Sequence, residues 1–109
     1  MQFQSGTSVI YAGRLIDATG REPVNDVALT IRDGLIVDIA DRQGFVAPAG
    51  AEEIDLGSET LLPGIVDAHM HFFGVHSYQL HKLPTEREAY RALRAAGEAR
   101  KMLLAGITA

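Results

Sequence analysis

The sequence predicts an α/β protein, because two kinds of pattern follow one another along the chain. Residues 1–58 are short β-like runs that turn residues, above all glycine, interrupt repeatedly. Residues 59–109 contain one apolar run, one loop and one long amphipathic pattern, which is the order that opens a β-α-β crossover. We therefore predict two regions, a small antiparallel β region over 1–58 and an α/β region over 59–109.

Length and composition limit the classes of protein that fit. The chain has 109 residues, a formal net charge of −4 and 47% hydrophobic residues. A complete (β/α)₈ barrel is excluded because it needs roughly 250 residues, and the apolar content argues against disorder. Without a basic run, we expect neither a nucleic acid nor a membrane as partner. The absence of cysteine excludes a Cys-based zinc site, and the absence of a leader pattern predicts a cytoplasmic protein.

The clearest hairpin spans residues 26–41. An Asp-Gly pair at 33–34 is typical of a two-residue turn, but a regular ladder in that register mixes polar and apolar side chains on each face. A three-residue loop over 32–34 pairs Ile31 with Leu35 instead. The apolar residues then share one face: Val27, Leu29, Ile31, Leu35, Val37 and Ile39. Because register decides which face is buried, we predict the three-residue loop.

The remaining strands are shorter or more apolar. Residues 8–11, 14–17 and 53–56 each predict a short strand of the β region. Residues 65–71 are a nearly unbroken apolar run, which is typical of a strand buried on both faces in a parallel sheet. A loop rich in aromatic residues follows over 72–84.

The last predicted element is a helix. Thr85 and Glu88 form a Thr-x-x-Glu capping box, apolar residues recur at helical spacing over 89–104, and Gly106 stands where a helix-terminating glycine is expected. Residues 107–109 resemble the opening of another strand. A frayed terminus is the alternative, but the pattern favours an incomplete domain.

Three polar residues in the apolar run point to metal chemistry. Asp67, His69 and His71 are spaced by two, so a strand projects all three from one face. Two imidazoles one pleat apart can bind one divalent metal, with Zn–N bonds of about 2.0–2.1 Å. Asp67 lies one pleat further away, where it is better placed to orient a ligand than to be one. The alternative is that a bare His-x-His pair is partly buried in a strand and binds nothing.

The surrounding residues carry a family resemblance. Residues 62–71, Leu-Pro-Gly-Ile-Val-Asp-Ala-His-Met-His, resemble the signature of the metal-dependent amidohydrolase superfamily. Residues 13–17, 33–36 and 53–57 are similar to that family's N-terminal β region, and residues 99–108 to its first barrel helix and the approach to the second strand. The likeness covers nearly the whole chain and is strongest to the imidazolonepropionase and prolidase (Xaa-Pro dipeptidase) group.

The resemblance implies a fold and a metal centre. Members carry a (β/α)₈ barrel and a small β-sandwich, so residues 1–58 would be the N-terminal part of the sandwich and 59–109 the first βα unit of the barrel. His69 and His71 would bind one ion, zinc by likeness, of a one- or two-metal centre, with Asp67 as support. The remaining ligands of the family, a carboxylated lysine, two histidines and an aspartate, come from later strands. No catalytic residue is therefore identifiable, and we expect this N-terminal piece alone to be inactive.

The same likeness implies an activity. We expect metal-dependent hydrolysis of a carbon–nitrogen bond in a small amide, lactam or dipeptide, with a small-molecule substrate and a homo-oligomer as a possible assembly of the full-length protein. His76, Tyr78 and His81 follow the predicted strand, on a loop that overhangs the active-site mouth in such barrels, where they could contact substrate; ordinary surface positions are the alternative. Deamination of an aminated heterocycle and a non-catalytic assembly or binding role are the other two hypotheses.

Overall fold

The computed structural model of the chain describes residues 6–73 and 77–109, without the side chains of 77 and 78. The residue contacts divide the chain into two compact units, Met1–Pro63 and Gly64–Ala109. The elements in chain order are β1 (Thr7–Leu15), β2 (Val24–Arg32), β3 (Leu35–Asp41), β4 (Glu52–Asp55), β5 (Thr60–Leu61), a 3₁₀-helix (Ser77–Thr85) and α1 (Glu88–Leu104). This combination of a sheet and a helix confirms the predicted α/β class.

The first unit is a five-stranded mixed sheet built around β1. The strand order is β3-β2-β1-β4, and β5 also pairs with β1. β2 runs antiparallel to β1, whereas β4 and β5 both run parallel to it. The prediction of a purely antiparallel region was therefore wrong. The predicted break between strands at 8–11 and 14–17 was also wrong, because β1 is continuous. β2 pairs with the full length of β1 on one edge, and β4 and β5 pair with β1 on its other edge.

The β2–β3 hairpin differs from the predicted three-residue loop. Arg32 pairs with Leu35, which leaves a two-residue Asp33-Gly34 turn. Both turn residues have positive φ, 51° and 80°, as a type I′ turn requires. A register shift between Thr30 and Ile31 then makes one residue of β3 a bulge, so that Leu29 pairs with Ile39 rather than with Asp38. The bulge therefore keeps apolar residues paired with each other. A regular ladder from the same two-residue turn would have paired apolar with polar residues.

The core of the first unit lies on β1 and β2. Val9 and Val27 are fully buried, and Ala12 packs with Val27 and Leu15. Leu56 and Leu61, which lie after β4 and in β5, pack against this cluster. Residues 60–61 therefore belong to the sheet of the first unit. The domain boundary that the sequence predicted after residue 58 stays a prediction.

The second unit contains α1, which ends as the sequence predicts and begins differently. At its C-terminal end the amide of Gly106 (φ 90°) donates to the carbonyl of Leu103, and the amide of Ile107 donates to the carbonyl of Met102. These two bonds form a Schellman motif. At the other end, Arg87 is the N-cap and makes no side-chain capping bond.

The capping box at residues 85 and 88 is therefore absent from the start of α1. Thr85 is the last residue of the 3₁₀-helix, and its hydroxyl donates to the carbonyl of Lys82. That bond uses the hydroxyl within the preceding turn. Residues 77–85 are correspondingly helical, where the sequence predicted loop.

A short parallel pairing joins the segments that precede and follow α1 in the chain. Ile65 forms a parallel bridge with Ile107, its amide donates to the carbonyl of Gly106, and its carbonyl accepts from the amide of Thr108. A Cβ on Gly64 would come within 2.1 Å of the Thr108 hydroxyl oxygen, so this approach requires glycine. Regular strand structure does not extend over the predicted 65–71.

Candidate metal centre

The polar triplet lies directly after this parallel pairing. The amide of Asp67 still donates to the carbonyl of Ala109, at 2.8 Å. From there the Oδ1 of Asp67 accepts a hydrogen bond from the amide of His69, at 3.0 Å. Such an Asx turn competes with a strand ladder for the backbone, which is the physical reason why the predicted strand stops early. His69 therefore lies in a bend together with Ala68, and His71 follows that bend.

The two histidine rings approach each other through their Nε2 atoms, in an edge-on arrangement. Their Nε2 atoms are 3.1 Å apart, and the ring centroids are 4.9 Å apart with the planes at 72°. Both residues are exposed. The spacing by two residues thus brings two imidazole nitrogens to one point at the surface of the second unit, although the backbone there is not a regular strand.

Two residues that alternate with the histidines line an apolar groove beside α1. Met70 and Phe72 line it together with Met102 and Leu103 of α1, and its volume is about 390 Å³. Asp67 also lines this groove, whereas the two histidines do not. The imidazoles therefore lie outside the groove.

Asp67 contacts the backbone of the histidine segment. Its described hydrogen bond goes to the main-chain amide of His69 and to neither imidazole ring. A carboxylate in this position fixes the turn that carries the ligands. Its predicted support for the metal ligands would therefore act through the backbone.

The other predicted site residues lie on or near the 3₁₀-helix. His81 is an exposed residue of that helix. Tyr78 belongs to the same helix but its side chain lies outside the description, and His76 lies outside the described residues altogether. Their predicted contact with substrate stays a prediction.

The two imidazoles fit a shared divalent cation as far as distance allows. Nitrogen atoms 3.1 Å apart can both lie at about 2.0–2.1 Å from one zinc ion with a near-tetrahedral angle between them. Within residues 6–73 and 77–109, however, no group of three or more His, Cys, Asp or Glu side chains converges on a possible metal position. The histidine pair would supply two protein ligands, which is one fewer than a typical catalytic zinc site uses.

One neighbour of the pair was not assigned to the site from the sequence. The ring of Phe73 stacks on the ring of His71, with centroids 4.9 Å apart and planes inclined by 12°. The sequence placed Phe72 and Phe73 alike in the aromatic-rich loop that begins at residue 72. The sequence signal that distinguishes them is spacing: Phe73 follows His71 by two residues, as His71 follows His69, and Phe72 falls between these positions.

No family model matches the sequence, but individual proteins do. The chain is 35% identical to a dihydroorotase from Geobacter sp. (strain M21) over 63 residues, which are 58% of this chain and 14% of that protein. It is 46% identical to an imidazolonepropionase from Desulfotalea psychrophila over 48 residues, which are 40% of this chain and 12% of that protein. The chain thus matches only a small share of each relative.

Solved structures agree with these matches. The fold resembles the crystal structure of a Xaa-Pro dipeptidase with bound methionine in the active site, with a TM-score of 0.76 and 28% identity over 94% of this chain and 25% of that one. The sequence and fold therefore define a partial amidohydrolase-like chain, which confirms the resemblance predicted from residues 62–71. In the described parts of the chain, no helix combines the length and apolar character needed to cross a membrane.

Proposed function

We propose that this chain supplies the first two ligands, His69 and His71, of a divalent metal centre in a hydrolase of carbon–nitrogen bonds. The observation that carries the proposal is the convergence of the two Nε2 atoms at 3.1 Å. The likeness to an imidazolonepropionase, a dihydroorotase and a Xaa-Pro dipeptidase supports the class of reaction. The substrate class is a small amide, lactam or dipeptide.

The chain's own residues have two tasks in this proposal. His69 and His71 bring their Nε2 atoms to one point, and Asp67 holds the turn that carries them. A bound zinc ion would supply polarisation of a carbonyl and activation of water at neutral pH. The family likeness assigns the further ligands, and a second ion where one is used, to strands beyond this sequence.

The fold around the site supports a barrel context. Ile65 and Ile107 pair in parallel on either side of α1, which is the connection of a β-α-β unit. We infer that residues 64–109 form the first such unit of a (β/α)₈ barrel. The exposed apolar side chains of β3, for example Ile36 (62% exposed) and Val37 (50%), support the inference that the sheet is one layer of a β-sandwich.

Zinc binding by the chain tests the proposal directly. Isothermal titration of the metal-free chain with Zn²⁺ should show one site, and both His69→Ala and His71→Ala should weaken it at least tenfold because one remaining imidazole cannot chelate. His81→Ala is the matched control, since it removes an exposed histidine from a different element. Wild-type affinity in both ligand variants would refute the metal centre.

A substrate panel separates amide hydrolysis from the deaminase hypothesis. The protein tested must contain this chain together with the remaining ligands, loaded with zinc. Hydrolysis of an amide, lactam or dipeptide bond releases a carboxylate, whereas deamination of an aminated heterocycle releases ammonia and leaves the ring intact. The proposal expects the first product, and His69→Ala should abolish its formation. A zinc-loaded protein that forms neither product would favour the non-catalytic role.

A further inference from the structure

We propose that Phe73 is a positioning residue for His71: its ring holds the imidazole plane so that Nε2 points at Nε2 of His69. This inference rests on the proposed metal centre and adds to it the residue that prepares one ligand. The observation is the nearly parallel stack of the two rings, with centroids 4.9 Å apart and an interplanar angle of 12°.

The stack restricts the χ2 torsion of His71, which turns the ring about the Cβ–Cγ bond. An imidazole rotates broadly about χ2, and an exposed histidine such as His71 has little packing to limit that rotation. An offset aromatic stack fixes the ring plane and therefore the direction of Nε2. A ligand that is already oriented loses less freedom when it binds, which strengthens binding without any new contact.

Phe73 also lies beside the helical part of the second unit. It lines a groove with Leu83, near the end of the 3₁₀-helix, and with Ala92 of α1. The residue is 41% exposed while its ring is stacked on His71. Phe73 therefore connects the ring of His71 to this groove, in addition to the backbone turn at Asp67.

Phe72 provides a matched control. It has the same side chain, a similar exposure of 45%, and it lines the same groove as well as the groove against the C-terminal end of α1. No stack between Phe72 and a histidine is found among the described residues. Phe72→Leu and Phe73→Leu remove the same atoms, and only the second removes the stack.

The experiment measures Zn²⁺ affinity and ring geometry in the 109-residue chain. Phe73→Leu should weaken zinc binding about two- to tenfold, Phe73→Tyr should restore it, and Phe72→Leu should leave it within twofold of wild type. In the metal-free chain, nuclear Overhauser contacts between the His71 and His69 rings should weaken in Phe73→Leu and persist in Phe72→Leu. Circular dichroism of both leucine variants verifies that α1 is intact.

The outcomes separate this inference from the metal centre. If both histidine variants lose zinc but Phe73→Leu binds it like wild type and keeps the ring contacts, Phe73 has no positioning role and the metal centre stands. If Phe72→Leu weakens zinc as much as Phe73→Leu, general packing explains the effect and the inference is wrong. If both histidine variants bind zinc like the wild type, the metal centre and this inference both fail.

Discussion

The two units of this chain are stabilised in different ways. In the sheet, Val9 and Val27 are fully buried and strands distant in sequence surround them. In α1, which lies wholly within the described part of the chain, no residue is buried, and Leu93 is 76% exposed. The second unit is held by hydrogen bonds: the helix itself, its Schellman motif and the pairing of Ile65 with Ile107.

This difference has a consequence for the candidate site. The histidines lie in the unit that has hydrogen bonds and no buried helical residue, so little side-chain packing holds the site. The contacts that hold the histidine segment are local: the Asx turn at Asp67 and the stack on Phe73. A metal ion shared by two ligands would add to these local anchors, because binding to the folded form stabilises it.

A core substitution gives the largest contrast between the units. Val27→Ala should lower the free energy of unfolding of the sheet by about 2 kcal/mol, because two methyl groups are removed from a fully buried position. Leu93→Ala removes more atoms from α1 but should change stability by less than about 0.5 kcal/mol, since the side chain is largely in solvent. Urea denaturation followed by circular dichroism measures both. Equal losses in the two variants would show that α1 buries Leu93 in solution.

Two glycines of the second unit should respond to the same substitution with opposite signs. Gly106 has φ 90° in the Schellman motif, so Gly106→Ala should destabilise α1 by about 1–2 kcal/mol. Gly97 lies within α1, and a Cβ there meets nothing within 4 Å. Gly97→Ala should therefore stabilise the helix by about 0.5–1 kcal/mol. Hydrogen exchange of the α1 amides reports each change, and two effects of the same sign would contradict the assigned C-terminal motif.

The predictions from sequence succeeded where local chemistry alone decides the structure. Gly106 marked the helix end because few residues other than glycine adopt the left-handed conformation that a Schellman motif requires. The Asp-Gly pair equally marked a two-residue turn, but the expectation of a regular ladder led to the wrong loop. A bulge in β3 resolved that conflict, and its position depends on packing between strands that no short sequence window contains.

The relative position of the two histidines was predictable, and the contacts around them were less so. The spacing by two predicts His69 and His71 on one side, and in the structure their Nε2 atoms lie 3.1 Å apart. The bend after Asp67 was not predicted, because the carboxylate can either face a ring or take a backbone amide, and the sequence does not choose between them. The stack on His71 depends on ring orientation, which residue spacing does not specify.

The smallest expected effect on stability concerns Asp17, a carboxylate two residues after β1. The Thr19 hydroxyl, the Thr19 amide and Arg21 donate hydrogen bonds to Asp17 and lower its pKa from 3.8 to about 2. Because the folded state favours the charged form, this contribution to stability is complete above about pH 4 and is lost as the pH falls toward 2. Acid should therefore weaken the loop after β1 through this residue.

Thr19→Val tests the largest of these causes, since it removes the hydroxyl donor and keeps the backbone amide. The pKa of Asp17, followed by the carboxyl carbon shift in an NMR titration, should rise toward 3.8, and the loss of stability between about pH 4 and pH 2 should become shallower. Thr60→Val makes the same chemical change at an exposed position in β5 and should leave Asp17 unaltered. A pKa that stays at about 2 in Thr19→Val would assign the shift to the amide and Arg21, and the sheet unit's acid sensitivity would then not depend on this hydroxyl.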